Sequence, residues 1–410
     1  MAGEIITGLD IGTTKIAMLI GERTDTGLNI LGFGMSPTDG LRRGVVVNMD
    51  KTTRSIKQAI EAAEHTAGVQ TGAVYVGIAG EHIESVNSRG AIAIPRTDHG
   101  ITQKDITRVL ESASALRIPT MDRQVIHEIA QEYIVDDQGG IPYPDGMYGV
   151  RLEVLVHIVT GAITSKQNLY KCIERAGLEV KDLVLDSLAS SFAVLSSDEK
   201  ELGVILLDLG GGTTDLAIFH EGTIRHSAVI PMGGKNLTSD IAIGLRTPLE
   251  RAEEIKQNHC RAIFSRSDED AHIEIPGVGG RPQRKVSQEH LASIVGPRME
   301  EIFSFAHREM KRSGYDDHIG AGVVLTGGGA LMPGIVELAE QVFGMPAKIG
   351  IPDGHIGLVD EDKAPMFATG IGLMWYALEN PERKEWTTSG GTGLFDRIYD
   401  RMKGWFEDMS

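Results

Sequence analysis

Cysteine is nearly absent from the 410-residue chain, which contains only Cys172 and Cys260 in no paired spacing. Neither a disulfide framework nor a zinc site is indicated, and a reducing compartment fits the composition. Long hydrophobic runs are also missing, because Glu4, Asp10 and Lys15 interrupt the apolar N-terminal stretch. These charges break both a signal-peptide core and a spanning helix. We therefore expect a cytoplasmic body whose membrane contact, if it has one, arises elsewhere.

Positive charge is scarce as well. The chain has 40 Lys and Arg against 57 Asp and Glu, a formal net charge of −17, and no concentrated basic face. A phosphate backbone would be repelled, so no nucleic-acid partner is expected. Aromatic residues make up 5% of the chain, whereas 50 glycines and a 41% hydrophobic share are typical of a soluble α/β protein. Because single cores stop growing near ~250–300 residues, at least two domains are expected.

The strongest internal feature is a glycine-rich motif that occurs twice. The segment from Asp10 to Lys15, DIGTTK, returns as DLGGGTTD from Asp208 to Asp215. Each copy lies between two short apolar runs, which predicts a β-hairpin with a glycine-rich turn. Two such hairpins predict two related halves that face each other.

These turns carry the residue types that a bound phosphate needs. Glycine lets backbone N–H groups approach an anion without an intervening side chain. Mg²⁺ keeps several waters and needs few protein carboxylates, and Asp10 and Asp208 are placed to hold it through water. No G-x-x-x-x-G-K-[ST] loop is present, so the Walker arrangement is not expected. The predicted phosphate contacts are Gly12, Thr13, Thr14, Lys15, Gly210, Gly211, Gly212, Thr213 and Thr214.

A third glycine cluster follows a predicted strand over 321–325 and precedes a predicted helix over 333–343. This order would point a helix N-terminus at the adenosine-diphosphate portion of a nucleotide. Each glycine cluster alone could be a tight turn, but three in this order favour a ligand site. The adenosine contacts expected here are Gly327, Gly328, Gly329 and Ala330.

The segments between the motifs predict two insertions. Residues 84–160 read as a small α+β subdomain inside a first lobe core of residues 1–83 and 161–197. Residues 232–286, with a helix over 249–259 and an exposed hairpin over 273–286, interrupt a second core of residues 198–231 and 287–380. A flexible linker over 381–393 and a helix over 394–410 complete the organisation.

The order of hairpin, connecting helix, hairpin, adenosine loop and second connecting helix resembles the superfamily of actin, sugar kinases and DnaK-type chaperones. The resemblance runs from Ile5 to Leu378. It implies an α/β, actin-like fold of two lobes built from duplicated ribonuclease-H-like domains, with connecting helices over 186–195 and 368–378. It also implies ATP and Mg²⁺ as ligands, with further nucleotide contacts from Gly234, Glu253 and Lys256.

Asp186 begins the first connecting helix, where relatives such as MreB carry a Glu that orients the attacking water. An Asp is one methylene shorter, and a misplacement of about 1 Å can lower a rate by about 10²-fold. We therefore expect tight ATP binding with slow or negligible hydrolysis.

The place of the first insertion favours one branch of the superfamily. MreB and actin carry their extra domain later in the first half, whereas here it follows the predicted strand Ala73–Ile78 directly, as in the FtsA and PilM families. Residues 44–48 and 275–282 also resemble the FtsA family. The resemblance implies a cell division protein that polymerises on the cytoplasmic face of the bacterial inner membrane, at the division site. Its implied partners are further copies of itself, the C-terminal peptide of FtsZ, and downstream division proteins on residues 84–160. For the FtsZ peptide the candidates are Arg281, Arg284 and Lys285.

The last segment has the pattern of a helix that lies in the membrane plane. At about 100° per residue its apolar side chains fall within an arc of roughly 120°, with basic side chains at the margins. A terminal helix docked on the protein's own core is the alternative. The residues assigned to lipid contact are Leu394, Phe395, Ile398, Arg401, Met402, Lys403, Trp405, Phe406 and Met409.

Two other functions share the nucleotide cradle. A sugar kinase would need a polar substrate pocket with a catalytic Asp between the lobes, and the sequence has no recognisable kinase signature. A PilM-like pilus scaffold shares the early insertion, but that family lacks this kind of terminal amphipathic helix. Both are disfavoured relative to the FtsA-like assignment.

Overall fold

The computed structural model describes residues 4–24, 27–95, 100–115, 122–263, 272–275, 284–357 and 361–380. The predicted linker and terminal helix, with all nine residues assigned to lipid contact, lie outside this part of the chain. So does Arg281.

The first lobe contains a mixed sheet that is covered by helices. Its elements are β1 (Ile5–Ile11), β2 (Lys15–Thr24), β3 (Gly27–Pro37), β4 (Leu41–Arg42), β5 (Val45–Val46), α1 (Met49–Ala67) and β6 (Ala73–Ile78). The inserted subdomain follows with β7 (Glu84–Ala93), α2 (Gln103–Ala115), β8 (Arg123–Val135), β9 (Gln138–Ile141) and β10 (Arg151–Ala162). The lobe resumes with α3 (Ile163–Ala176), β11 (Glu179–Leu185), α4 (Asp186–Val194) and α5 (Ser197–Leu202).

The second lobe repeats the plan. Its elements are β12 (Val204–Leu209), β13 (Thr214–His220), β14 (Thr223–Ile230), α6 (Gly234–Gly244), α7 (Leu249–His259), β15 (His272–Ile275), β16 (Arg284–Ser287), α8 (Gln288–Ser313), β17 (Val323–Thr326), α9 (Ile335–Phe343) and β18 (Ala347–Ile349). Two further elements, β19 (His355–Gly357) and α10 (Ala368–Glu379), follow them in the chain and belong to the first lobe. The strand orders are β11-β6-β1-β2-β3-β19 in the first lobe, β14-β13-β12-β17-β18 in the second, and β7-β10-β8-β9 in the insertion. The two predicted hairpins are confirmed as the antiparallel pairs β1–β2 and β12–β13.

Local sequence signals explain the helix boundaries well in α1. The Asn48 side chain accepts the Lys51 amide at 3.0 Å and caps the N-terminus. Gly68 ends the helix in the left-handed conformation with φ 70°, which glycine adopts at no steric cost. Between these caps, Ile56 and Ala63 lie on the face that is buried against the sheet.

The chain returns to the first lobe before the described part ends. β19 pairs in parallel with β3 of the first-lobe sheet, although it follows the whole of the second sheet in sequence. α10 packs against α4 and β1. The first-lobe core therefore contains residues of α10, the last described helix, as well as residues of the N-terminal strands. The described chain thus passes between the lobes twice.

The inserted subdomain covers the edge of the second-lobe sheet. Ser85 Oγ donates to the Ser227 carbonyl at 2.6 Å, and Asn87 Nδ2 donates to the Arg225 carbonyl at 2.9 Å. Both carbonyls belong to β14, the edge strand of that sheet. An uncovered edge is a site for unwanted pairing, so these side chains satisfy the edge while joining the insertion to the opposite lobe.

Candidate nucleotide site

The two glycine-rich turns have matching geometry at the ends of their hairpins. Gly12 follows β1 and lies so close to the Lys15 carbonyl oxygen that an added Cβ would be 2.9 Å from it. Gly210 follows β12 and meets the Thr213 carbonyl oxygen at the same 2.9 Å. Glycine is thus required at equivalent positions of the two lobes, as expected of a duplicated site.

The turns face each other across the lobes. Side chains of the first turn lie against glycines of the second, Thr14 on Gly211 and Thr13 on Gly212, and an added Cβ at either glycine would clash with them. The sequence prediction that both turns belong to one site is consistent with this contact. Thr13 is fixed from a third direction, since the Gly44 amide donates to its Oγ1 at 3.1 Å.

Asp208 lies where the two connecting helices meet. Its Oδ2 accepts hydrogen bonds from Ser190 Oγ on α4 at 2.8 Å and from Thr369 Oγ1 on α10 at 3.1 Å. Asp208 is 8% exposed. This one buried carboxylate is therefore hydrogen-bonded to both of the helices that link the lobes.

Four carboxylates lie close together beside the turns, with Lys15 among them: Asp10, Asp186, Asp208 and Asp215. Lys15 Nζ lies 3.0 Å from Asp10 Oδ2. Burial and the neighbouring Asp208 raise the pKa of Asp215 to about 8. Burial, followed by Asp10, also raises the pKa of Asp186 well above its usual value. Asp186 Oδ1 and Asp215 Oδ1 are buried without a hydrogen-bond partner in the described residues.

The third glycine cluster contacts the second turn. Gly327 has φ 81°, and an added Cβ there would clash with Asp208 Oδ1. The expected helix start at 333 is wrong, because a 3₁₀ helix over Gly328–Leu331 comes first and α9 begins at Ile335. The cause is Gly334, whose left-handed φ of 81° separates the two helices. Ala330 is fully buried.

The residues expected from α6 and α7 form a network beside the second turn. The Gly234 amide donates to the Gly210 carbonyl at 3.0 Å. Glu253 Oε2 accepts from Thr238 Oγ1 at 2.5 Å and from Lys256 Nζ at 2.7 Å. Burial opposes ionisation of Glu253, but the hydrogen bonds from Lys256 and Thr238 outweigh it and lower the pKa. Glu253 and Lys256 thus lie close to the turn, and their contact with a nucleoside stays a prediction.

A magnesium nucleotide fits the residues that are present. Of the four carboxylates beside the turns, only Asp10 is ion-paired with a lysine in the described residues, and a cation would offset the crowded negative charge. Mg²⁺ can be held through its waters, by Asp10, Asp208 and Asp215. Glycines at the turns leave room for a polyphosphate, which the turn amides and Lys15 would bind. Among the described residues, no group of three or more His, Cys, Asp and Glu side chains is arranged to ligate a metal directly.

Sequence reasoning missed three side chains of this centre. Asp215 pairs with Asp208 across β12 and β13, and its place at the end of the repeated motif could have revealed it. Ser190 and Thr369 had no such signal, because a hydroxyl in an apolar helix is usually a packing residue.

The hairpin that was predicted over 273–286 is confirmed in its strands, because β15 and β16 form an antiparallel pair. Of the candidates for FtsZ contact, Arg284 and Lys285 belong to β16, and Arg281 lies outside the described residues. Lys285 is exposed there, opposite Glu274. The Arg284 backbone begins β16. In the part of the chain that the structure describes, no helix combines the length and the hydrophobicity needed to cross a bilayer.

Comparison with known families gives two matches along the chain. The model for cell division protein FtsA matches residues 205–372, and the model for the SHS2 domain inserted in FtsA matches residues 80–160. A cell division protein FtsA of Pseudomonas aeruginosa is 47% identical over 99% of this chain and 98% of its own. That of Neisseria meningitidis is 45% identical over 98% of each.

Solved structures support the fold at lower identity. A PilM–PilN type IV pilus biogenesis complex matches with a TM-score of 0.66 and 16% identity, covering 91% of this chain and 98% of that one. MreB5 of Spiroplasma citri bound to ADP matches with a TM-score of 0.56 and 13% identity over 93% of this chain and 99% of that one. The expected actin-like fold with its insertion is thereby confirmed.

Proposed function

Because this chain belongs to the FtsA family of cell division proteins, we propose that it binds Mg-ATP between its lobes, polymerises on the membrane, and anchors FtsZ there. The nucleotide would act as a scaffold ligand that links the lobes, with hydrolysis slow or negligible. Further division proteins would dock on the inserted subdomain.

The observation that carries the nucleotide proposal is the contact between the two glycine-rich turns, beside Asp208. The turns come from different lobes, and Asp208 also holds Ser190 and Thr369 on the connecting helices. A polyphosphate held there with Mg²⁺ would contact both lobes at once. Its binding would then bias the angle between the lobes, and with it the surfaces that copies of the chain present to each other.

Calorimetry with Mg-ATP tests this proposal. We expect Asp208→Asn to weaken Mg-ATP binding by at least about tenfold, since it removes a charge that is close to the cation. The amide still accepts hydrogen bonds from Ser190 and Thr369, so the fold should persist. Asp198→Asn, at an exposed position on α5, is the matched control and should bind like wild type. Absence of binding heat in wild type, with assembly unaltered in Asp208→Asn, would overturn the nucleotide proposal.

Partner recognition is proposed on the second-lobe hairpin. Lys285 is an exposed cation there, and with Arg281 and Arg284 it would bind the C-terminal peptide of FtsZ. Charge reversal at all three positions should weaken binding of the labelled peptide in fluorescence anisotropy. Lys171→Glu, on the exposed surface of α3, serves as the control. Equal peptide affinity in the reversed variant would remove these residues from the proposal.

The pilus-scaffold alternative is supported only at the level of the fold, because the PilM–PilN match is 16% identical. The relatives at 45% and 47% identity are cell division proteins. A screen for phosphotransfer to small polyols would test the sugar kinase alternative, for which we expect no product.

A further inference from the structure

A lysine from the second lobe contacts the first-lobe turn directly. Lys235 Nζ donates to the Thr13 carbonyl oxygen at 2.7 Å. Its own backbone amide donates to the Gly211 carbonyl at 2.7 Å, in the second turn. A single residue thus bridges the two turns, with its backbone on one and its ammonium on the other.

The position of this lysine is electrostatically unfavourable for its helix. Lys235 lies in the first turn of α6, and that turn contains no acidic residue. The positive end of a helix dipole disfavours a cation at that place. Departures from such local preferences are expected mainly at functional sites. A bound anion beside the turn would offset the repulsion between the lysine and the helix dipole.

The other lysines near the turns already have carboxylate partners. Lys15 is paired with Asp10 at 3.0 Å, and Lys256 with Glu253 at 2.7 Å. Glu253 and Asp39 are the carboxylates within electrostatic range of Lys235. Glu253 is the partner of Lys256, and Asp39 is paired with Lys51 at 2.8 Å. Within the described ranges, no carboxylate lies at ion-pairing distance from Lys235. The charge of Lys235 is therefore not offset by a paired carboxylate, whereas the charges of Lys15 and Lys256 are.

We propose that Lys235 is a specificity-determining residue of the nucleotide site, whose ammonium binds the outer phosphates of a nucleoside di- or triphosphate while it bridges the two turns. This inference rests on the proposed nucleotide function. The ammonium lies at the seam where Thr13 packs on Gly212, so a polyphosphate held by both turns comes within its reach. The third glycine cluster, which would hold the adenosine end, has Asp208 and Leu209 as the nearest neighbours of Gly327 and Gly329, so we expect AMP to be bound without Lys235.

Calorimetric affinities for Mg-ATP, Mg-ADP and AMP separate this role from a structural one. A hydrogen bond to a charged group predicts that Lys235→Met lowers affinity for Mg-ATP and Mg-ADP by about tenfold or more. The affinity for AMP should not change. Lys235→Arg keeps the charge and should recover most of the loss. Lys171→Met, at an exposed site on α3, should bind all three nucleotides like wild type.

Two results would overturn the inference while leaving the nucleotide function in place. One is an unchanged affinity of Lys235→Met for Mg-ATP. The other is an equal loss for ATP, ADP and AMP, which would mean that Lys235 only supports the turns. If wild type binds none of the three nucleotides, the proposed function fails together with this inference, so the two failures are distinguishable.

Discussion

Gly372 on α10 lies so close to Ala189 on α4 that a Cβ at position 372 would clash with the Ala189 carbonyl oxygen. The two connecting helices therefore touch backbone to backbone at this point. One residue beyond Ala189, Ser190 reaches Asp208, and Thr369 reaches the same carboxylate from α10. The backbone contact between the connecting helices thus lies beside the buried Asp208 carboxylate and its two hydroxyl donors.

The first prediction concerns Gly372→Ala. The added methyl group must push α10 away from α4, and overpacking of this kind costs about 1–3 kcal/mol of unfolding free energy. It should also weaken Mg-ATP binding, because Thr369 moves with α10. Chemical unfolding and calorimetry would measure both effects.

Gly72→Ala, at an exposed position before β6, is the control for that substitution. A Cβ there meets nothing within 4 Å. This variant should therefore have the stability and the Mg-ATP affinity of wild type. Similar behaviour of the two variants would show that the contact at Gly372 is not tight.

Sequence patterns predicted the elements whose burial follows a simple period. The strand Ala73–Ile78 and the helix Leu249–His259 begin and end where expected. Only the end of β7, which spans Glu84–Ala93, has a strand-like pattern in the sequence. Its first half reads as polar because Ser85 and Asn87 point at the second lobe. A polar side chain that hydrogen-bonds to another subdomain gives no strand signal in a single sequence.

The sequence predicted only the local motifs of the nucleotide site. Glycine turns and their flanking Asp10 and Asp208 are local motifs, so the sequence reveals them. Ser190, Thr369 and Lys235 reach the centre through folding of distant segments. Their roles depend on how α4, α10 and α6 pack, which no local pattern encodes.

A second prediction concerns Asp215, whose carboxylate is crowded by Asp208 and has one oxygen without a partner among the described residues. At pH 7 the unfolded chain ionises this carboxyl, whereas burial beside Asp208 opposes its ionisation in the folded protein. Asp215→Asn removes that cost and should raise stability in the absence of Mg²⁺ and nucleotide. It should also reduce the rise in melting temperature that Mg-ATP produces. Thermal unfolding with and without Mg-ATP measures both. A variant that is less stable alone and responds fully to Mg-ATP would contradict the crowding argument.

The membrane proposal predicts the effect of Trp405→Glu, at a position that a helix over 394–410 would place on its apolar face. A charged side chain in that face should abolish pelleting with liposomes. Asp400→Asn, at a position that the same helix would place on its opposite face, should bind like wild type. One amphipathic segment binds weakly, so pelleting should rise steeply with protein concentration as polymers form. Binding that is strictly proportional to concentration would count against polymer-driven attachment.

A pH prediction follows from His157, which joins the insertion to the second lobe. Its Nδ1 lies 2.7 Å from Asn87 Oδ1 and its Nε2 lies 2.9 Å from Ser227 Oγ. Burial, with a smaller effect of His226, lowers the pKa of His157 to about 3. The folded protein therefore keeps this side chain neutral where the unfolded chain, with a pKa near 6.5, binds a proton.

Because the pKa of His157 is lower in the folded protein than in the unfolded chain, acid favours the unfolded chain. Above pH ~6.5 His157 is neutral in both states, and its contribution to the free energy of unfolding is complete. Below that pH the free energy of unfolding falls by up to about 1.4 kcal/mol per pH unit toward pH 3. His157→Gln lacks this titration. At pH 7 it should be less stable than wild type, and the gap should narrow at pH 5. Urea unfolding at both pH values tests this, and a gap that widens in acid would refute it.

The last prediction concerns hydrolysis and Asp186. Its Oδ1 is buried against Gly77, where an added Cβ would clash with it, and this oxygen has no hydrogen-bond partner in the described residues. A carboxylate held back in this way is poorly placed to orient a water at the terminal phosphate, so turnover should stay below about one per second. Asp186→Glu lengthens the side chain by one methylene and should raise turnover, whereas Asp186→Asn should lower it further. Phosphate release from purified protein at saturating Mg-ATP gives the rates, with calorimetric affinity as the control for binding. Fast turnover in wild type, or a rate in Asp186→Asn equal to that of wild type, would exclude Asp186 as the residue that limits hydrolysis.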